Sequence, residues 1–214
     1  RFLYYSFRER VMKKDRTNLI LVLIFIIGLS VMLYPTVSDY WNSRTQSRAV
    51  ATYNETVESM SEEDYEEMFQ EAEAYNEALS QVDMPFVNYD QVEGYEDILD
   101  ISGTGIMGYV TIEKIRVELP IYHGTEDSVL QIAAGHLQGS SLPIGGAGTH
   151  RVISAHRGLP SARLFTELDE LEVGDTFTIT VLDRQMTYQV DQIRIVEPQE
   201  IEELQIDPEK DYCT

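Results

Sequence analysis

The sequence predicts a mainly β protein: a closed or nearly closed β-barrel with short helices, preceded by an N-terminal helical segment and a transmembrane helix. Three observations carry that expectation. After Ile106 the chain is a succession of short apolar-polar alternations separated by turn residues. Before it, Tyr65, Met68, Ala72, Tyr75 and Leu79 recur at steps of three and four, which is one face of a helix. Earlier still, Leu19 to Tyr34 (LILVLIFIIGLSVMLY) is sixteen residues without a charge.

That apolar run is slightly short of the roughly twenty residues a spanning helix needs, and Asn18 and the Val37 region extend it. Tyr34, Tyr40 and Trp41 suit an interfacial aromatic belt. Arg8, Arg10, Lys13, Lys14 and Arg16 precede the run, and Asp39 is the first charge after it. The positive-inside rule then puts the N-terminus in the cytoplasm and everything after Pro35 outside. The expectation is a single-pass cell-membrane protein that meets the lipid bilayer through residues 19–36. A signal peptide shares the basic front and apolar middle, with Ala49-Val50-Ala51 as its candidate cleavage site. That site lies fifteen residues past Tyr34, so the uncleaved anchor is preferred.

The 214 residues carry a formal net charge of −21, unevenly placed. Residues 1–50 hold eight Lys and Arg against three acids, whereas residues 51–100 hold sixteen acids and no base. So polyanionic a surface repels phosphate backbones, which argues against nucleic-acid binding. The plainer role for those acids is to solvate an exposed helix face. The one cysteine, Cys213, excludes an intrachain disulfide framework and a cysteine-rich zinc site. An exported chain without disulfides fits a bacterial surface.

Five segments are expected: a cytoplasmic basic segment (1–18), the anchor (19–36), an acidic helical region (37–80), a lid-like loop (81–105) and the barrel (106–214). Ser61 with Asp64 three residues on is a helix-start signal, so residues 39–79 divide into two helices. Strands are expected near 106–112, 117–122, 150–155, 175–182 and 185–196, the last with a bulge around Asp191-Gln192. Asp183-Arg184 reads as a hairpin turn. Short helices are expected near 127–134, 161–168 and 199–204.

The four histidines are His123, His136, His150 and His156. No pair has metal-helix spacing, and neither a metal nor any other cofactor is expected. His156 differs in context. It follows the apolar run Val152-Ile153-Ser154-Ala155 and precedes the loop start Arg157-Gly158-Leu159-Pro160, a place where rigid scaffolds hold catalytic groups.

Tyr122-His123-Gly124-Thr125, the run from Gly135 to Gly146 (GHLQGSSLPIGG) and the run from Thr149 to Pro160 (THRVISAHRGLP) resemble the class C, pilus-assembly sortases of Gram-positive bacteria. So does Leu164-Phe165-Thr166-Glu167-Leu168-Asp169 with Val173-Gly174-Asp175. The resemblance implies a cysteine transpeptidase that cuts an LPXTG-like sorting signal between Thr and Gly. It then joins pilin subunits through a lysine amine, by way of an acyl-thioester. His156 aligns with the family's active-site histidine. The nucleophilic cysteine closes a TLxTC motif, of which Thr214 matches the first Thr, so that cysteine and the catalytic arginine are expected beyond residue 214. The chain begins at Arg1 rather than Met, both ends read as cut, and the chain as given is expected to be inactive.

Cysteine counting alone would pair Cys213 with His156 as nucleophile and base. On the resemblance Cys213 is instead a strand cysteine near the site. The family also carries a lid with an Asp-Pro-aromatic motif. Here Asp83-Met84-Pro85-Phe86 has an inserted Met, which leaves Asp83 and Phe86 as lid candidates and an ordinary acidic linker as the alternative. Two rival functions remain: a housekeeping-type sortase that anchors proteins to peptidoglycan, and a non-catalytic surface interaction protein.

Overall fold

The computed structural model describes residues 2–197, 200, 204–207 and 209–214, with side chains from residue 16 onward. A single helix, α1 (Phe2–Glu58), runs through the apolar segment and continues past Pro35. One proline removes one backbone donor. Here the helix carries on because its next turns dock on the folded domain: Asn42 Nδ2 donates to the Ser161 carbonyl (2.8 Å) and Gln46 Nε2 to that of Ile132 (2.6 Å). The break falls where Ser61 marks the next helix start: α1 ends at Glu58, and Ser59 and Met60 donate back to Thr56 and Val57. Among the described residues α1 is the one helix long and apolar enough to cross a membrane.

Helix α2 (Glu62–Ser80) opens with the expected capping box. The Ser61 hydroxyl takes the Asp64 N–H, and the Asp64 carboxylate takes the Ser61 N–H at 2.9 Å. Its buried face includes Ala72, Tyr75 and Leu79 as the spacing predicts, together with Phe69 and Asn76. Asn76 uses both ends of its amide on the backbone of Leu142, which fixes α2 to the domain. A one-turn helix, α3 (Pro85–Asn88), follows Met84, which adopts a left-handed conformation at φ 50°.

The sheet strands are β1 (Ile106–Ile112), β2 (Val117–His123), β3 (Ala134–His136), β5 (Ile153–Ser154), β6 (Thr176–Val181) and β7 (Arg184–Gln189), in the order β5-β3-β2-β1-β6-β7. A separate parallel pair joins β4 (Thr149–Arg151) to β8 (Asp211–Cys213). The short helix α4 (Asp127–Leu130) connects β2 to β3. Rather than a closed barrel, this is a curled half-barrel whose edges among the described residues are β5 and β7. Tyr53 ties α1 to its core: the hydroxyl donates to the Met107 carbonyl (3.1 Å) and accepts from the Leu182 N–H (2.8 Å).

Several boundaries differ from the sequence expectation. The strand expected over 150–155 divides at Val152, because its N–H turns to the Ser140 hydroxyl (3.1 Å) and its carbonyl takes the Leu137 N–H (2.9 Å). The strand expected over 185–196 stops at Gln189, and no bulge forms at Asp191-Gln192. Beyond that point Ile193 and Ile195 are exposed, so their alternation has no partner face to cover it. The hairpin turns on Leu182-Asp183, with Leu182 at φ 51°, and Arg184 already pairs with Val181. The expected helix at 127–134 shortens to α4, and 161–168 forms turns leading into a 3-10 turn at Leu168–Glu170. The helix expected over 199–204 lies largely outside the described residues.

Candidate active site

Three of the four histidines are committed on both ring nitrogens. His123 is set between the carbonyls of Gly105 (Nδ1, 3.0 Å) and Ile98 (Nε2, 2.8 Å). His136 places Nε2 2.8 Å from the Ser141 carbonyl and Nδ1 2.9 Å from the Tyr95 hydroxyl. A carbonyl only accepts, so Nε2 carries the proton and Nδ1 receives Tyr95 O–H. Burial pushes His136 down to about 4, against the bond to Ser141 that favours its protonated form. His150 donates from Nδ1 to the Gln205 carbonyl (3.0 Å) and accepts at Nε2 from the Thr214 hydroxyl (2.8 Å). Burial lowers its pKa as well.

His156 is different. It lies just past the end of β5, half-buried, and its ring has no hydrogen-bond or ion-pair partner among the described residues. Its backbone is nonetheless held, since its carbonyl accepts from the Phe165 N–H at 3.1 Å. A positioned backbone with an uncommitted imidazole is what a proton-transfer group needs.

Cys213 does not meet it. In the parallel β4–β8 ladder Cys213 is level with Arg151, as His150 is with Tyr212. Burial pushes the Cys213 thiol up to about 12, and the nearby Arg151 guanidinium offsets this only in part. A thiol held protonated is a poor nucleophile.

The Arg151 side chain has no exposed surface and lies 2.5 Å from the Asp211 carboxylate. It also donates to the hydroxyls of Tyr188 and Thr149, and its charge sits 5.1 Å from the Tyr188 ring centroid. Asp211 further accepts from the Gly146 N–H (2.9 Å) and the Tyr188 hydroxyl (3.2 Å). This cluster fixes β8 against β4 and hence the direction in which the chain passes His156. Neither Arg151 nor Asp211 has a role legible in the sequence, because a pair separated by sixty residues has no local signature.

The lid candidates sit on the rim of a cavity of about 330 Å³. Its walls include Leu79, Asp83, Phe86, Gly139 and Ile206. Asp83 is exposed, and its carbonyl takes the Asn88 amide at 2.6 Å. Phe86 is half-buried, and its backbone presses on Gly139. A Cβ on Gly139 would approach the Pro85 oxygen to 2.7 Å and the Phe86 Cα to 2.9 Å, and Gly139 is at φ 93°. That close approach requires glycine. Among the described residues neither Asp83 nor Phe86 bonds to His156.

The curled sheet thus presents one uncommitted imidazole just past the end of β5, and β8 carries a half-buried thiol whose pKa is raised by burial. Comparison with known proteins gives that layout its family. The family model described as "Sortase domain" matches residues 110–214. The crystal structure of sortase C1 from Streptococcus agalactiae is 44% identical, with a TM-score of 0.68 over 78% of this chain and 90% of that one. Sortase C of Clostridium perfringens, solved with the C-terminal cell wall sorting motif, is 35% identical, with a TM-score of 0.66 over 78% of this chain and 86% of that one. Sortase D of Bacillus subtilis (strain 168) is 30% identical over 104 residues, which are 49% of this chain. The match spans half the length of that curated relative. The chain belongs to the sortase family of cysteine transpeptidases.

Proposed function

We propose that this protein is a pilus-assembling sortase of class C type, anchored by residues 19–36 with its N-terminus in the cytoplasm and its sheet domain outside. The observation that carries the catalytic part is the free ring of His156, set against three histidines that are each committed on both nitrogens. The resemblance puts the nucleophilic cysteine four positions after Thr214. The β4–β8 pairs share one offset, 149 with 211 and 151 with 213, and Ile153 N–H still bonds the Thr214 carbonyl at 2.7 Å. At that offset, four positions past Thr214 is level with His156. Cysteine and imidazole would then lie side by side just beyond the paired strands.

The chemistry follows. The thiolate attacks the threonine carbonyl of an LPXTG-like sorting signal, and an arginine beyond this chain steadies the oxyanion. As the Thr–Gly bond breaks, His156 protonates the departing glycine amine. A lysine amine of the next pilin then attacks the thioester and releases the thiol. The experiment is to incubate the complete protein with an LPXTG peptide. His156→Ala should lose cleavage by at least two orders of magnitude; cleavage at the wild-type rate would overturn the assignment. In the same assay Asp83→Ala with Phe86→Ala should raise cleavage and thiol labelling, because the segment at the cavity rim then no longer covers it. Unchanged rates would remove the lid reading and leave an acidic linker.

A further inference from the structure

The unbroken helix fixes how high the folded domain stands above the bilayer. α1 passes Thr36 without a break, and its next turns bond the domain in succession. Asp39 accepts from the Arg163 N–H (2.8 Å), Asn42 donates to the Ser161 carbonyl and Gln46 to that of Ile132. Higher up, Tyr53 bonds Met107 and Leu182. At 1.5 Å per residue, Asp39 stands only about 5 Å beyond Thr36, and a tilt of about 20° shortens this little. The headgroup layer on each face of a bilayer is about 6 Å deep.

A second observation puts the same turn at that level. Tyr40 and Trp41, adjacent to Asp39 and Asn42, point away from the domain and are exposed. Such rings settle at the headgroup boundary. One turn of α1 thus carries aromatic residues suited to the interface on one face and the loop after His156 on the other.

We propose that the loop Pro160–Arg163 rests in the lipid headgroup layer, so that the domain is seated on the bilayer rather than suspended above it. This rests on the anchor proposed above. The seat is built from three side-chain bonds between α1 and the domain, and α1 itself sets its height.

The test uses the anchored protein in lipid nanodiscs that contain a phospholipid with a nitroxide on its headgroup, with tryptophan fluorescence as the readout. Native Trp41 reports the level of the helix. In a Trp41→Phe background, Pro160→Trp, or Ser161→Trp should the first fail to fold, reports the loop. Glu58→Trp, about 33 Å beyond Thr36 along the helix, reports the far end. The loop probe should be quenched as deeply as native Trp41 and several-fold more than the Glu58 probe. Quenching of the loop probe no deeper than that at position 58 would overturn the seat and leave the anchor standing. An unquenched Trp41 would overturn both. A seven-residue polar helical insert after Thr36 raises the domain about 10 Å and nearly restores the same helix face. It should reduce the loop probe to the level of the far probe; undiminished quenching would show that α1 does not set the height. Because no outcome depends on catalysis, the transpeptidase reading is tested separately.

Discussion

The guanidinium of Arg151, with no exposed surface, lies 2.5 Å from the Asp211 carboxylate across the β4–β8 pair. Asp211 is 38% exposed, so the two partners are not equivalent. Removing the acid leaves a buried cation without its counter-charge, whereas removing the base leaves an acid that can reach water. Asp211→Asn should therefore cost about 3 kcal/mol of stability, and Arg151→Met distinctly less. Urea unfolding midpoints of the two variants decide this. Equal losses would mean that packing of the arginine stem, not charge pairing, dominates.

His136 gives the fold a defined pH dependence. Its native value is pushed down to about 4 by burial, against an ordinary value of 6.5. The unfolded chain thus takes up the proton first as pH falls. The contribution of neutral His136 is complete above about 6.5 and is lost progressively as pH drops through about 4. His150 shifts in the same direction. Denaturation midpoints measured from pH 7 down to pH 4.5 should decline, by an amount on the order of 3 kcal/mol for His136 when fully expressed. His136→Gln should be less stable at pH 7 and show a flatter profile; a profile as steep as wild type would remove His136 as its source.

Much of this was legible in the sequence where a local pattern carries the information. The Ser61–Asp64 capping box, the buried stripe through Ala72, Tyr75 and Leu79, and β1, β2 and β6 all follow from short-range periodicity or spacing. The placement of His156 just past a strand end was legible from the apolar run before it and the loop after it. What was not legible depends on partners distant in sequence. The continuation of α1 through Pro35 depends on Ser161, Arg163 and Ile132, which support its next turns. The division of 150–155 at Val152 depends on Ser140 and Leu137. The commitment of three histidines, which sets His156 apart, runs through Tyr95, Gly105 and Gln205.

Gly139 should be intolerant of any side chain. At φ 93°, with the Pro85 oxygen 2.7 Å from where a Cβ would stand, Gly139→Ala must strain its own backbone or move α3. The backbone strain alone is worth about 1–3 kcal/mol. Amide exchange over residues 82–91 should quicken in this variant, because the segment that presses on Gly139 is displaced. Unchanged exchange there, with global stability reduced, would place the relaxation elsewhere in the fold.

Cys213 should be nearly silent to thiol reagents in the folded protein. Its pKa, pushed up to about 12 by burial, leaves a thiolate fraction at pH 8 about a thousandfold below that of a thiol titrating near 9. The sign for stability follows from the same shift. The folded chain keeps the proton longer, so the contribution is complete below about 9 and fades as pH rises through about 12. Iodoacetamide at pH 8 should modify Cys213 quickly only after denaturation, as peptide mass mapping would show. Cys213→Ala in the complete protein should keep peptide cleavage near the wild-type rate. Fast native labelling at Cys213 together with loss of cleavage on its replacement would make it the nucleophile after all. The ladder argues otherwise, since Cys213 stands level with Arg151 and five residues short of His156 along the same strand direction.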